Sequence, residues 1–248
     1  MRLSRLLEVG AISGAVAGLS IAVSAATVGR GPLKKALELE ESLPDGHGGA
    51  AHEDLFSRGA QEVGGAIGLL LFGVALGVIF TIVWGALSPH FAARTSIGST
   101  LQLGAVGFFV VVLVPFLKYP GNPPAVGDPD TVNERTVQYL SVVVFSILLA
   151  VLVWKLYVHL EGSVVKRIWI ASAVYIAGLA IVALVLPRSP DAVDVAADLV
   201  WQFRLATLAG LALGWTVLSL MTGWLLSARE PGANRLVGSA DETPARTS

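Results

Sequence analysis

The chain has 248 residues, of which 54% are hydrophobic and only 14% are charged, and its formal net charge at pH 7 is −1. A soluble domain carries about 25% charged residues, so the composition excludes a soluble globular protein, and the near-neutral charge gives a nucleic-acid partner no electrostatic support. The sequence contains no cysteine, which excludes disulfides, thiolate metal sites and cysteine nucleophiles.

Six long apolar blocks follow one another along the chain, each close to the length of about 20 residues that an α-helix needs to cross a bilayer. Backbone groups in lipid must be satisfied within the segment, and the sequence lacks the alternating pattern of a membrane strand. It therefore predicts an all-α membrane protein, with one transmembrane domain over 1–227 and a disordered tail over 228–248. The predicted helices cover residues 6–28, 63–87, 97–117, 137–160, 168–186 and 200–226.

The first block has an alternative interpretation. Arg2 and Arg5 precede it and small residues occupy 22–26, as in a cleavable signal peptide, which would leave five helices. The length of the block and the presence of Glu8 favour a retained helix. Lysine and arginine show a small excess on the side of the two termini, which favours an inside location for both. The connections 29–62, 118–136 and 187–199 would then lie outside.

Glycine is dense in the second block. Small residues allow membrane helices to approach closely, so this face is expected to pack on a neighbouring helix. The glycines concerned are Gly64, Gly65, Gly68, Gly73 and Gly77.

Three of the blocks begin with a shared pattern, in which an acidic residue precedes an arginine and a polar residue follows the arginine by three positions. This pattern predicts three helical hairpins of parallel orientation, descended from one unit. The simpler alternative is that the acid caps the helix and the arginine reaches the headgroups. We expect the arginines to pair with nearby acids and to fasten the outer loops. The hairpin-start residues are Arg58 and Gln61, Arg135 and Gln138, and Arg204 and Thr207; the acids are Glu62, Asp130, Glu134 and Asp198.

The first outer loop carries the candidate metal ligands His47, His52, Glu53 and Asp54. Imidazole with carboxylate suits divalent ions such as cobalt, nickel or zinc, and a solvated loop with no metal role is the alternative. His90 and His159, the other two histidines, are expected at membrane interfaces. The sequence has no P-loop, HExxH or GxSxG motif, so we predict no enzyme activity and no cofactor beyond a transported ion.

Residues 118–131, the lid loop, are rich in proline and glycine and predict a stiff, non-helical connection between two spans. Side-chain oxygens on this loop could contact an ion, whereas the alternative is a rigid connector with Asx turns. The candidate lid-loop residues are Lys118, Tyr119, Pro120, Asn122, Pro123, Pro124, Gly127, Asp128 and Asp130.

The lid-loop sequence LKYPGNPPAVGDPDT resembles the LKYP-x-NPP-x-VGDP-x-T signature of the CbtA family of bacterial cobalt transporter subunits. The resemblance extends to the histidine-bearing loop and to the hairpin start at Arg58 and Gln61. It implies a membrane protein of about five spans that works with CbtB, a small subunit with a histidine motif. The six blocks seen here depart from that count.

The resemblance and the outer histidines together predict uptake of cobalt, or a related divalent cation, across the bacterial inner membrane. Membrane lipid is then the surrounding partner and a CbtB-like subunit the protein partner. The alternative is a membrane scaffold that transports nothing and docks another protein through its outer loops, which the scarcity of charged residues within the apolar blocks favours.

Overall fold

The computed structural model describes residues 2–42, 58–91, 93, 95–123, 126, 129–189 and 195–228. In these ranges the regular structure is helical, with short 3-10 turns at Ser88–His90 and Pro129–Thr131. The helices are α1 (Leu3–Thr27), α2 (Arg30–Ser42), α3 (Arg58–Leu87), α4 (Ser96–Gly107), α5 (Val114–Lys118), α6 (Val132–His159), α7 (Val164–Val185) and α8 (Ala197–Ser227).

Six helical stretches in the described part of the chain are long and apolar enough to cross a membrane, which confirms the predicted all-α membrane class. The arrangement as three repeated hairpins stays a prediction. α3 begins at Arg58 and α6 at Val132, five residues before the predicted starts in each case. Hydropathy detects only the apolar part of a helix, whereas polar first turns can continue the helix outside the hydrocarbon core. The predicted tail beyond residue 228 lies outside the described residues.

The helix α2 was not predicted, because its polar composition resembles that of a loop. Lys34 and Glu38 form an ion pair at 3.5 Å one turn apart, and Ala36 is buried. A helix with polar residues on one side and a few small apolar residues on the other shows a periodicity that a search for apolar blocks does not detect.

The third span is interrupted between α4 and α5 by a π-helical segment, Phe108–Leu113. The backbone N–H of Val114 donates to the carbonyl of Phe109, one residue farther back than in an α-helix. Pro115 follows at once and has no N–H to donate. The π-helical segment thus accommodates a proline without ending the span.

The chain divides into two compact units. The first unit comprises Met1–Ala22, Gly59–Ala105 and Leu213–Ser248. In it, α1 and α3 approach through glycines: a Cβ added at Gly10 would lie 2.6 Å from the carbonyl oxygen of Gly77, and one added at Gly14 would overlap the carbonyl of Gly73. This confirms the predicted packing for Gly73 and Gly77. Nothing described lies within 4 Å of a Cβ added at Gly64, Gly65 or Gly68, where the predicted contact is wrong for the described chain.

Buried hydroxyl groups complete the packing of the first unit. Thr222 donates to Ser13 Oγ at 2.9 Å, and Ser13 donates to the carbonyl of Val9 at 2.7 Å. Thr81 donates to the carbonyl of Leu6 at 2.9 Å. Because these polar side chains are small, they form hydrogen bonds between membrane helices and still allow the helices to approach closely.

The second unit comprises Val23–Arg58 and Val106–Ala212. Its long helices α6 and α7 are joined by a turn in which Gly162 has a φ of 113°, a conformation that glycine adopts readily. Ser146 on α6 donates to the carbonyl of Val110 at 2.8 Å, and its oxygen lies 2.9 Å from the hydroxyl of Tyr175 on α7. This contact links three helical segments of the unit.

Candidate functional site

A cavity of about 470 Å³ lies within the second unit. Its walls come from the first part of the lid loop, the first turns of α6 and the first turns of α8. The polar side chains among its lining residues are Tyr119, Asn122, Arg135, Thr136, Gln138, Ser189, Arg204 and Thr207. The structure therefore brings the lid loop together with two of the three predicted hairpin starts.

The spacing of the hairpin-start residues explains how they reach one cavity. Residues three apart on a helix share a face, so Gln138 follows Arg135 on α6 and Thr207 follows Arg204 on α8 along the same wall. The sequence pattern contained this signal. The side chains of Arg58 and Gln61 lie outside the described part of the structure, and the predicted meeting of three arginines stays a prediction.

Arg204 fastens the lid loop to α8. Its Nε donates to the carbonyl of Gly121 at 3.2 Å and its Nη2 to Asn122 Oδ1 at 2.8 Å. The sequence predicted that this arginine ties a loop to the helices, which these bonds confirm. The expected acidic partner is wrong for these two bonds, because neutral oxygens of the loop accept both of them. Thr207 donates to the carbonyl of Phe203 within its own helix.

Lys118 and Tyr119 fasten the same loop to the end of α7. The Lys118 ammonium donates to the carbonyls of Ala183 and Leu186 at 2.9 and 3.2 Å, where the last carbonyls of a helix attract a cation. The Tyr119 hydroxyl donates to the carbonyl of Pro187. Burial raises the pKa of the Tyr119 hydroxyl above its usual 10.0, and the nearby Glu134 carboxylate raises it further. The hydroxyl therefore keeps its proton and its hydrogen bond at neutral pH.

Gln138 is the most deeply buried polar side chain of the cavity wall, with 6% of its surface exposed. Its Nε2 donates to Glu134 Oε1 at 2.7 Å. Its Oε1 is shielded from solvent and accepts no hydrogen bond from the described residues. A buried acceptor without a donor costs about 1–3 kcal/mol. The described wall therefore lacks one hydrogen-bond donor, at Gln138 Oε1.

Arginine is the charged residue type on the described walls of the cavity. Two arginines line it and the described lining residues include no aspartate or glutamate. Glu134 lies beside the wall and accepts from Gln138, and Asp130 is exposed in the 3-10 turn before α6. Guanidinium groups repel a bare divalent cation, so these walls suit a cation poorly.

The predicted metal ligands His47, His52, Glu53 and Asp54 lie outside the described residues, as do Pro124, Gly127 and Asp128 of the lid loop. Among the residues that are described, no group of three or more His, Asp or Glu side chains could hold a metal ion. His159 lies at the end of α6, with its Nδ1 2.8 Å from the carbonyl of Lys155. Pro120 lines the cavity and Pro123 is buried.

Several apolar and aromatic walls of the cavity were missed from the sequence. They include Phe116, Tyr139, Leu140 and Leu211. Tyr139 lies four residues after Arg135, so helical spacing was the available signal for it. Ser189 follows α7, and no sequence pattern around it predicts a place in the cavity wall.

The family described as "Probable cobalt transporter subunit (CbtA)" matches residues 3–227. Comparisons with curated proteins and with solved structures found no match. The matched range includes all six apolar spans and the lid loop, which confirms the resemblance carried by that loop. The chain is thus a multi-pass membrane protein that belongs to the CbtA family of probable cobalt transporter subunits.

Proposed function

We propose that the protein is an uptake subunit for cobalt, or a related divalent cation, in the bacterial inner membrane. The family match over residues 3–227 carries this proposal, because it covers the whole helical region rather than a single motif. The six apolar spans supply the membrane part that such a subunit requires.

Metal capture is assigned to His47, His52, Glu53 and Asp54. Imidazole and carboxylate are suitable ligands for cobalt, whereas the cavity of the second unit has arginine in its walls. The part of the lid loop that contains Lys118, Tyr119 and Asn122 is fixed by hydrogen bonds to α7 and α8. It is suited to act as a rigid lid between the spans.

A transporter subunit works with at least one other subunit. We propose a small, histidine-bearing membrane protein resembling CbtB as that partner. Transport needs no resident cofactor in this scheme, and the cation is the substrate.

A docking scaffold is the second candidate, and one observation favours it. On α3, a Cβ added at Gly64 or Gly68 would meet nothing described within 4 Å, and Val63, Ile67 and Leu71 are exposed there. Small residues between exposed apolar ones suit a second transmembrane helix. A scaffold, predicted to dock its partner through the outer loops, would gain this face as a second contact and would not move a metal.

Uptake of radiolabelled cobalt tests the proposal in cells that lack this chain and its partner. The chain is returned alone, with the partner, or not at all. We expect the initial rate of cobalt accumulation to rise when the chain and the partner are present together. Equal rates in all three backgrounds would contradict the transport function.

The two histidines of the first loop separate the transporter from the scaffold. We expect a His47→Ala/His52→Ala double variant to raise the cobalt concentration needed for half-maximal uptake, with normal amounts of protein in the membrane. A His90→Ala/His159→Ala double variant is the matched control, because it removes the same number of imidazoles elsewhere. Unchanged uptake in both double variants would favour the scaffold.

A further inference from the structure

We propose that the cavity of the second unit is a binding site for an anion, namely a carboxylate or phosphate group with a neighbouring hydroxyl. This inference goes beyond cobalt uptake, because it concerns a ligand of the opposite charge. It rests on the chemistry of Arg204, on donors that are already held in position and on one buried acceptor.

The first argument is the chemistry of Arg204 at the walls. Its guanidinium lines the cavity, and its two described bonds go to neutral oxygens. Arginine presents a planar set of N–H donors that matches the oxygens of carboxylates and phosphates. A carboxylate or phosphate group would therefore suit Arg204 at this wall.

The second argument is that Arg204 is already held in position. Its bonds to Gly121 and Asn122 use Nε and one N–H of Nη2, and an arginine side chain carries five N–H donors. The remaining N–H groups are fixed in direction by the bonds already made. A donor that is positioned before binding loses less conformational freedom when the ligand arrives.

Asn122 adds a neutral donor to the same wall. Its Oδ1 accepts the bond from Arg204, which leaves the amide N–H groups of the side chain as donors at the cavity. The lid loop thus contributes a neutral hydrogen-bond donor to the cavity wall.

The buried Oε1 of Gln138 is the reason for proposing a hydroxyl group on the ligand. Its Oε1 has no donor among the described residues, while its Nε2 is committed to Glu134. An anionic oxygen cannot donate, so the carboxylate or phosphate alone leaves this acceptor unsatisfied. A hydroxyl on the same ligand supplies the missing donor and removes part of the desolvation cost.

The size of the cavity restricts the ligand to a small molecule or a headgroup. Its volume of about 470 Å³ is within the range of about 300–1,000 Å³ for small-molecule sites. Phe116, Leu140 and Leu211 form its apolar walls. Two sources offer this chemistry: a soluble hydroxy acid or phosphate ester, and the glycerol phosphate headgroup of an anionic lipid.

The test uses purified, delipidated full-length protein in detergent, with binding measured by calorimetry and thermal shift and no cobalt present. The soluble probes are citrate, glycerol phosphate and tricarballylate, which differs from citrate only in lacking the hydroxyl. The lipid arm compares nanodiscs that contain phosphatidylglycerol with nanodiscs of phosphatidylcholine alone. We expect citrate or glycerol phosphate to bind, and citrate to bind about tenfold more tightly than tricarballylate, which corresponds to one hydrogen bond.

Four variants connect the binding to the cavity. Arg204→Gln is expected to weaken binding at least tenfold, and Arg204→Lys less. Gln138→Leu leaves the arginines in place and is expected to remove the preference for citrate over tricarballylate. Arg167→Gln is the matched control, because Arg167 binds the carbonyl of Tyr157 and does not line the cavity. If Arg204→Gln fails to fold, the Gln138→Leu comparison still decides.

Binding of the soluble probes assigns the site to a small anion, and a response to phosphatidylglycerol alone assigns it to a lipid headgroup. Either result supports the site. No response to any probe, or equal weakening by Arg204→Gln and Arg167→Gln, overturns it. Cobalt uptake is measured separately, so failure of one proposal is not failure of the other.

Discussion

The two units of the chain pack their helices in different ways. In the first unit, backbone meets backbone at Gly10, Gly14, Gly73 and Gly77, and buried hydroxyl groups form hydrogen bonds between helices. In the second unit, Arg204 and the other long side chains described above reach across to loop carbonyls and leave a cavity. Lipid offers no hydrophobic drive for helix association. The helices of the first unit are therefore held by close backbone contact. In the second unit, long side chains connect helices and loops that stay far enough apart to leave the cavity.

The largest expected effect comes from closing the glycine contact in the first unit. A Cβ added at Gly77 would overlap the carbonyl of Gly10 and lie 2.6 Å from the Cα of Gly14. Gly77→Leu should lower stability by about 3 kcal/mol and reduce the folded yield, as measured by thermal unfolding in detergent. Gly68→Leu on the same helix is the control, since its surroundings are open. Equal melting temperatures for the two variants would contradict the difference between packed and open glycines.

The next effect tests whether Arg204 holds the wall of the second unit. Arg204→Gln removes charge-assisted bonds to Gly121 and Asn122 and should cost about 1.5 kcal/mol. The chain has no cysteine, so a single Gly121→Cys change, at a position where an added Cβ would meet nothing within 4 Å, places a specific nitroxide label on the lid loop. We expect faster label motion when Arg204→Gln is added and unchanged motion with Arg167→Gln. Equal label motion in all three backgrounds would show that the loop is held by other contacts.

A smaller effect concerns the hydroxyl that joins the lid loop to Pro187. Tyr119→Phe removes this bond and should cost about 1 kcal/mol. The raised pKa means that the protonated hydroxyl, and its contribution to stability, is present below pH 10 and is lost as pH rises through the folded-state pKa. The difference in unfolding free energy between wild type and variant should therefore be constant between about pH 7 and pH 9. A difference that shrinks in that range would be inconsistent with the raised pKa.

The smallest effect is expected from a hydroxyl pair in the first unit. Thr222→Val keeps the side-chain shape and removes the bond to Ser13, at a cost of about 0.6 kcal/mol, typical of such bonds between membrane helices. Thr136→Val is the control, because its hydroxyl bonds to the carbonyl of Val132 within its own helix. A loss for Thr222→Val larger than that for Gly77→Leu would reverse the roles assigned to glycine and hydroxyl packing.

The sequence was sufficient for the six spans, because a bilayer sets a length and a polarity that apolar blocks show directly. It was also sufficient to pair Arg135 with Gln138 and Arg204 with Thr207, because helical spacing places each pair on one face. It did not predict α2, whose polar composition resembles that of a loop. Nor did it distinguish Gly77 from Gly68, because which glycine meets a neighbour is decided by the approach of a distant helix.

The partners of Arg204 also could not be predicted. The acidic residues near the hairpin starts suggested ion pairs for the arginines, yet Arg204 bonds to Gly121 and Asn122 instead. In the folded loop, one backbone oxygen and one amide oxygen accept from the Arg204 guanidinium, in place of the acidic residues that lie near it in the sequence. Contacts between residues so far apart in the chain depend on the path of the loop, which local patterns do not specify.

Cobalt accumulation in sealed liposomes tests the central claim most directly, because it removes every other cellular route. The purified chain is reconstituted with its partner subunit and the accumulation of radiolabelled cobalt is followed over time. We predict saturable accumulation above that of protein-free liposomes, which falls when His47 and His52 are both replaced by alanine. Accumulation no faster than in protein-free liposomes, under any energising gradient, would contradict cobalt uptake by this protein.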